Sequence, residues 1–402
     1  MSAPGRIPAL VTGHGPLVLG AIRALGRAGI PTYVGSARSG SEAASRWFRP
    51  VPGSWSDDAS LAENLVQCGI DQAVLIPTSE YDAIDAAELT GPLRSRFPTS
   101  SASADTLRLF ADKALARDLF EDHGVPTPRT WEAGRLEGPD RLDDETLEHV
   151  FLKPLDSGRF SGAFVRKSLR PYGRQAMLDA VAEYGSQGHT LMVQEYIPGP
   201  PSNSYLLDGF IDRHGELKGL FVRRRMRQYP IDFGNSSAVR SVDRSVTSEA
   251  ERVLVPMLES VGYRGIFNAE FKQDPRDGVF KLLEVNGRTW LYAEFASQCG
   301  FNALEMAWRD AQDLEVEALG EYTVGSTVIH PYYDIFAGLE LRARGEARTR
   351  DVVRSWIGAH QLLFAWDDPR PSMIASGQTS WGWLARRLNK PVGFPLRRIF
   401  TA

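Results

Sequence analysis

Three polar side chains stand at alternate positions in Glu284-Val285-Asn286-Gly287-Arg288, directly after the apolar run Phe280-Lys281-Leu282-Leu283. Read as a strand, this segment buries Phe280, Leu282 and Leu283. It delivers a carboxylate, an amide and a guanidinium to one face of a sheet. Such groups are costly to bury without partners. A second carboxylate, Glu270, sits in the apolar stretch Ile266-Phe267-Asn268-Ala269-Glu270-Phe271. Between the two stretches, Asp274-Pro275-Arg276-Asp277-Gly278 has the composition of a hairpin turn. Folding the chain back there pairs the strands and brings Glu270 near Glu284. Two carboxylates and an amide oxygen are hard donors, suited to Mg²⁺ carrying a polyphosphate. The bland alternative is a hairpin with a surface ion pair, because exposed charges usually contribute little. The alternation inside an apolar strand, with an acid on the neighbouring strand, favours the site.

The rest of the chain must position that strand pair. With 402 residues it is long enough for two or three domains. Hydrophobic content of 43% and charged content of 24% are ordinary for a globular protein. A net charge of -4 gives no reason to expect nucleic acid as a partner. Of the 46 basic residues only seven are lysines: Lys113, Lys153, Lys167, Lys218, Lys272, Lys281 and Lys390. Their placement is therefore informative. Cys68 and Cys299 have neither metal nor redox spacing. No stretch approaches the roughly 20 apolar residues of a membrane span. The N-terminus lacks the three regions of a signal peptide, so a cytoplasmic location without membrane partners is expected.

The chain opens with a βαβ pattern: a strand from Ile7 to Thr12, a helix from about Leu17 to Ala28, and a strand from Thr32 to Gly35. Gly13-His14-Gly15 lies in the first turn, but Val18 stands at the third glycine of a dinucleotide fingerprint. Ser36 and Arg38 stand where an acid would hold a ribose, so a tight turn is preferred over an NAD site. Helices are expected over 59–68 and 79–89, around a buried strand from Ala73 to Pro77. Thr78, Ser79 and Glu80 end that strand at the sheet edge where α/β folds bind ligands, although Ser79 also suits a helix cap. One helix from Asp105 to His123 would carry Lys113 in its middle. The strand Val150–Pro154 puts Lys153 at its exit. The small-residue turn Asp156–Gly162 follows and would offer amide groups to an anion. Further on come a helix over 172–184, a strand over 191–197 and a hairpin of Tyr205–Ile211 with Leu217–Arg223. That hairpin runs into Arg223-Arg224-Arg225-Met226-Arg227, which is either a solvated edge or a phosphate clamp. A helix over 246–261 leads to the acidic strand pair, and helices over 292–298 and 303–311 follow it. The stretch after Pro331 is helix-prone and names no chemistry. It would pack on the core or on a second subunit as a homodimer.

Taken in order, Lys113, Lys153, the small-residue turn, the strand ending at Ile197, and then Glu270, Glu284 and Asn286 resemble the ATP-grasp superfamily. The resemblance runs over about residues 1–310 and looks most like the carboxylate–amine ligase and predicted carboligase branch. It implies an α/β ATP-grasp fold with an N-terminal pre-ATP-grasp, Rossmann-like domain (1–108), a small lid domain (109–190), a large domain (191–320) and a C-terminal helical extension (321–402). By the same resemblance Lys113 and Lys153 would hold phosphates of ATP, with Lys153 also near the adenine. Ser157, Gly158, Ser161 and Gly162 would close over the β- and γ-phosphates. Glu195, Tyr196 and Ile197 would form the adenine hinge through backbone groups and the Glu195 carboxylate. Glu270, Glu284 and Asn286 would bind one or two Mg²⁺ ions, with Glu284 bridging. Arg288 would meet an acyl-phosphate or substrate carboxylate, and Arg223 or Arg225 would add a phosphate contact. Two positions depart from the family pattern. Pro201, Ser202 and Asn203 stand where an acid commonly holds the ribose, leaving that task to Ser202 or Asn203. Arg159 and Phe160 interrupt the covering turn. The implied activity is an ATP-dependent C–N bond-forming ligase that joins a small carboxylate to an amine through an acyl-phosphate. The alternatives are carboxylation, phosphoryl transfer, or a non-catalytic ATP-binding regulatory protein.

Overall fold

The computed structural model describes residues 7–37, 40–132, 142–143, 146–147, 149–154, 174–188 and 191–376. The expected covering turn at Ser157, Gly158, Ser161 and Gly162 lies outside these residues, as do Arg38, Arg159 and Phe160.

The N-terminal layer is a parallel sheet of order β2-β1-β3, made of β1 (Ala9–Thr12), β2 (Thr32–Gly35) and β3 (Val74–Ile76). These short strands are almost wholly apolar because both faces of a parallel sheet are covered. Helix α1 (Pro16–Arg27) opens with proline, whose missing N–H costs nothing in a first turn. It buries Val18, Ile22 and Leu25. Then follow α2 (Leu61–Gln67), α3 (Glu80–Glu88) and α4 (Gly91–Arg96). Ser79 caps α3 by accepting a hydrogen bond from the Asp82 amide.

The single helix expected from Asp105 to His123 is two: α5 (Ala104–Ala111) and α6 (Lys113–Asp122). Asp112 leaves the helical conformation, and its carboxylate accepts from the amides of Ala114 and Leu115 at 2.8 and 3.1 Å. Aspartate is a strong N-cap, and here it breaks what its neighbours would continue. Lys113 is thereby moved from mid-helix to the first residue of α6.

A small antiparallel sheet of order β4-β6-β5 comprises β4 (Thr130–Glu132), β5 (Val150–Pro154) and β6 (Leu191–Glu195). Helix α7 (Arg174–Ser186) lies between β5 and β6 in sequence and packs Met177 against Leu152, Leu191 and Val193. Strand β6 pairs with both β4 and β5. It therefore belongs to the small sheet, not to the large domain that was expected to begin at residue 191.

The central sheet has seven strands in the order β11-β10-β7-β8-β9-β12-β13. They are β7 (Ser204–Ile211), β8 (Leu217–Tyr229), β9 (Asn235–Ser241), β10 (Gly265–Gln273), β11 (Phe280–Asn286), β12 (Thr327–Ile329) and β13 (His360–Gln361). Helices α8 (Ser248–Ser260), α9 (Ala293–Gln298), α10 (Ala303–Asp310), α11 (Pro331–Ala343) and α12 (Thr349–Arg354) complete the described elements. One face of the sheet buries Leu207, Phe267, Ala269, Phe271 and Leu282 with Leu107, Phe110, Leu254 and Met257 of α5 and α8. The other face buries Phe210 and Phe221 against Phe295, Phe301 and Leu304, and these join α1 of the N-terminal layer in one core. The C-terminal region does more than pack on this core, because β12 and β13 extend the central sheet itself.

Candidate functional site

The acidic hairpin forms as its alternation requires, with one irregularity that matters. Glu270 lies opposite Glu284, and Asn268 opposite Asn286. Strict alternation would send Leu282 and Glu284 to the same face. The register instead shifts between Glu270 and Phe271, so Leu282 faces Phe271 while Glu284 faces Glu270. Leu283 is the extra residue of this bulge, a device that re-aims side chains. Leu282 enters the core, both carboxylates take the other face, and Leu283 is half-buried rather than buried as expected. The turn is held by Asp274, whose backbone bonds to Val279 and Gly278 and whose carboxylate accepts from the Arg276 amide at 3.0 Å.

The arginine run of β8 resolves into separate tasks. Arg225 donates to Glu270 at 2.8 Å and to the Ser236 hydroxyl at 2.8 Å. Arg223 is only 2% exposed. It is held by Asp208 at 2.7 Å and lies 5.1 Å over the ring of Tyr292. Asp208 also accepts from the Asn268 amide at 2.5 Å. Of the two arginines expected as alternative phosphate contacts, Arg223 is thus paired with the buried Asp208 and Arg225 with Glu270. Arg224 donates to the Ser202 carbonyl, and Arg227 donates twice to the buried Asp334. Asp334 takes a further bond from the Trp356 indole at 2.7 Å.

Arg288 lies in a bend beyond the end of β11, not on the strand itself. Its guanidinium bonds the Thr289 carbonyl at 3.1 Å and reaches Glu80 at 3.6 Å. The pair is partly open to solvent, at 26% and 45% side-chain exposure, and it joins the central sheet to the N-terminal layer. Next to Glu80, Thr78 donates to the Thr12 carbonyl at 2.6 Å. Gly13 has φ +100° there, and a Cβ would stand 2.4 Å from the Thr78 hydroxyl, so this turn admits only glycine.

Lys113, Lys153, Met192, Gln194, Leu283 and Glu284 line one open cleft between the small and central sheets. A cation at the first turn of α6, a second on β5 and a carboxylate across from them suit a metal-bound polyphosphate. Gln194 projects into this cleft, whereas the Glu195 side chain does not. Glu195 is 5% exposed. It accepts from Arg276 at 2.6 Å and from the Arg129 amide at 3.1 Å, with Lys281 at 3.8 Å. Burial opposes its ionisation, but these donors outweigh it and hold its pKa below the usual range. The Glu195 carboxylate, expected at an adenine hinge, here clasps the turn of the acidic hairpin through Arg276. Asp274 shares the same donors, with Arg276 at 2.5 Å and Lys281 at 2.9 Å.

Tyr196 and Ile197 lie at the end of the small sheet. Tyr196 packs edge-on to Phe151 and Phe233 at 6.4 and 6.1 Å. Ile197 offers its carbonyl to the Lys272 ammonium at 2.6 Å, and that ammonium lies 5.1 Å from the Tyr196 ring centre. Burial and the positive charge of Arg225 bring the Lys272 pKa down to about 8, against the pull of Glu270 and Asp274. Ser202 and Asn203 form a short, half-buried 3-10 turn with Pro201.

The donor set fits Mg²⁺: two carboxylates face each other across a strand pair, and the Asn286 amide lies 3.3 Å from Glu284. Among the described residues no three His, Cys, Asp or Glu side chains make a metal cluster of their own. Asn268, Asp208, Gln194 and Lys272 were not foreseen. Each is the polar residue of an otherwise apolar alternation, which was the available signal.

No protein-family model matches the chain. It is 26% identical over 216 residues to D-aspartate ligase of Enterococcus faecium, covering 50% of this chain and 49% of that protein. It is 32% identical over 160 residues to D-alanine–D-alanine ligase of Magnetococcus marinus, covering 38% of this chain and 49% of that protein. The matches thus span about half the length of these curated relatives. Among solved structures, the biotin carboxylase domain of 2-oxoglutarate carboxylase from Hydrogenobacter thermophilus shares the fold with a TM-score of 0.61 and 16% identity. That match covers 81% of this chain and 74% of the other, which was solved as a dimer with MgADP, ADP and bicarbonate.

Proposed function

We propose that this chain, which belongs to the ATP-grasp superfamily, is an ATP-dependent ligase that forms an amide between a small carboxylate and an amine. The observation that carries the proposal is Glu284, which lines one cleft with Lys113 and Lys153, stands opposite Glu270 on the neighbouring strand and has the Asn286 amide 3.3 Å away. A carboxylate is a poor electrophile and needs a leaving group before an amine can attack it. Its oxygen attacks the γ-phosphorus of ATP, the bond from that phosphorus to the bridging oxygen breaks, and ADP leaves. The amine nitrogen then attacks the acyl carbon, phosphate leaves and the amine gives up a proton. Mg²⁺, held by Glu270, Glu284 and Asn286, would neutralise charge on the β- and γ-phosphates. Lys113 and Lys153 would hold the phosphates in line, and Arg225 would keep Glu270 oriented.

The Arg288–Glu80 pair would receive an amino-acid-like substrate. A guanidinium suits its carboxylate, and the glutamate suits its ammonium. Amino acids are accordingly the substrate class to test first. Carboxylation of an amine from bicarbonate is the second reading, by analogy with the bicarbonate in the 2-oxoglutarate carboxylase structure. The deciding experiment follows ADP release from Mg-ATP in bicarbonate-free buffer, with pools of amino acids and small amines. ADP release that needs both an acid and an amine supports the ligase, whereas release restored only by bicarbonate replaces it with carboxylation. Glu284→Ala should abolish turnover while leaving the circular dichroism spectrum unchanged. Full ADP formation by that variant would remove Glu284 from the metal site.

A further inference from the structure

No acid stands between the hinge and β7. The connection is Pro198-Gly199-Pro200-Pro201-Ser202-Asn203, and part of it is already engaged. Asn203 donates its amide to the Pro200 carbonyl, and the Ser202 carbonyl takes Arg224. A charged side chain nevertheless meets the end of the small sheet: the Lys272 ammonium lies at the Ile197 carbonyl and the Tyr196 ring. Lys272 follows Glu270 by two residues on β10, and the register against β7 runs unbroken from Glu270–Leu206 to Lys272–Ser204. Both side chains therefore leave the same face of the sheet. Two residues of strand advance about 7 Å. A nucleotide with its terminal phosphates at Glu270 and its base at Tyr196–Ile197 must lay its sugar over the residue between them. The Lys272 ammonium is not aimed at the phosphates. Its bond to the Ile197 carbonyl at 2.6 Å and its place against the Tyr196 ring hold it beside the end of the small sheet.

We infer that Lys272 reads the ribose of the bound nucleotide, donating hydrogen bonds from its ammonium to the 2′- and 3′-hydroxyl oxygens. The inference rests on the nucleotide reading above and adds to it a sugar contact of reversed polarity. A carboxylate accepts from ribose hydroxyls, whereas an ammonium can only donate to them. Half-burial strengthens such a bond, because water competes less for either partner.

The test is calorimetric titration of Mg-ATP, Mg-2′-deoxy-ATP and Mg-3′-deoxy-ATP into the full chain without a carboxylate substrate. The wild type should bind ATP about tenfold more tightly than either deoxynucleotide, the scale of one hydrogen bond to a charged group. Lys272→Met keeps the stem against Tyr196 and removes the donor. It should lose about tenfold in ATP affinity and bind all three nucleotides alike, while Lys272→Arg should restore part of the discrimination. A Lys272→Met protein that folds and keeps the wild-type preference for ATP would overturn the inference. So would a wild type that binds all three nucleotides equally, and in that case the nucleotide reading stands. A wild type that binds none of them overturns the nucleotide reading and the sugar contact together.

Discussion

Two arginines two residues apart on one strand have different fates, and burial decides between them. Arg223 is buried against Asp208, and removing one partner of a buried pair strands the other without solvent. Arg225 is also mostly covered, at 11% side-chain exposure, but its partner is Glu270 at the cleft. Arg223→Met should therefore destabilise the fold by about 3–5 kcal/mol in urea titration. Arg225→Met should keep most of its stability and lose about 100-fold in kcat, the scale of one lost electrostatic contact in a transition state. Equal kcat losses with equal stability would contradict the division of roles. In the sequence these two residues were indistinguishable, because a run of arginines carries no label for which neighbour holds an acid. The acid that claims Arg223 is Asp208 on the adjacent strand, a pairing set by register and not by spacing. Lys272 was hidden for a related reason. Its interest comes from the Ile197 carbonyl, 75 residues earlier in the chain.

At the scale of elements, the acidic hairpin was legible almost in full, because its turn chemistry and its alternation agreed. The bulge at Leu283 was not, since one extra residue leaves no mark in an apolar run. The split between α5 and α6 was written in Asp112, an N-cap residue that also passes for a helix-interior acid. Strand β9 (Asn235–Ser241) begins Asn-Ser-Ser and reads as loop; pairing with both β8 and β12 makes it a strand. The clasp between β6 and the hairpin turn gives this scale its prediction. Hydrogen bonds from Arg276 hold the Asp274 carboxyl well below the usual carboxylate range, although burial opposes them. A carboxylate whose pKa is depressed by folding adds stability that is fully present above its unfolded value near pH 4. That stability is lost as pH falls through the folded value. Asp274→Asn should cost about 2 kcal/mol near neutrality. The gap to wild type should narrow as pH drops below about 4, in denaturant titrations at stepped pH. A gap that is constant with pH would assign the cost to packing instead.

Across the whole molecule, one buried ionic knot joins three parts of the chain. Arg23 of α1 is fully buried and reaches Asp368 at 2.9 Å and Glu294 at 3.4 Å. Arg27 adds Glu294 at 2.8 Å and Asp367 at 2.9 Å. The N-terminal layer, α9 and the C-terminal region are thereby fixed to one another. Arg23→Ala should destabilise by about 3–5 kcal/mol, read as a lowered urea midpoint, because Asp368 and Glu294 would be left buried with too few partners. A midpoint unchanged from wild type would show that the knot does not hold these parts together. This long-range architecture was the least legible part in the sequence. The C-terminal residues that close it, Asp367 and Asp368, sit in a stretch with no chemistry of its own to read.

The most direct test of the ligase assignment is ³¹P NMR of the phosphate products, using Mg-ATP, amino acids labelled with ¹⁸O in their carboxylates, and a pool of small amines. The expected products are ADP and inorganic phosphate carrying one ¹⁸O, since the acid's own oxygen leaves with the phosphate when the amide forms. AMP with pyrophosphate, or phosphate without the label, would contradict activation of the acid through an acyl-phosphate.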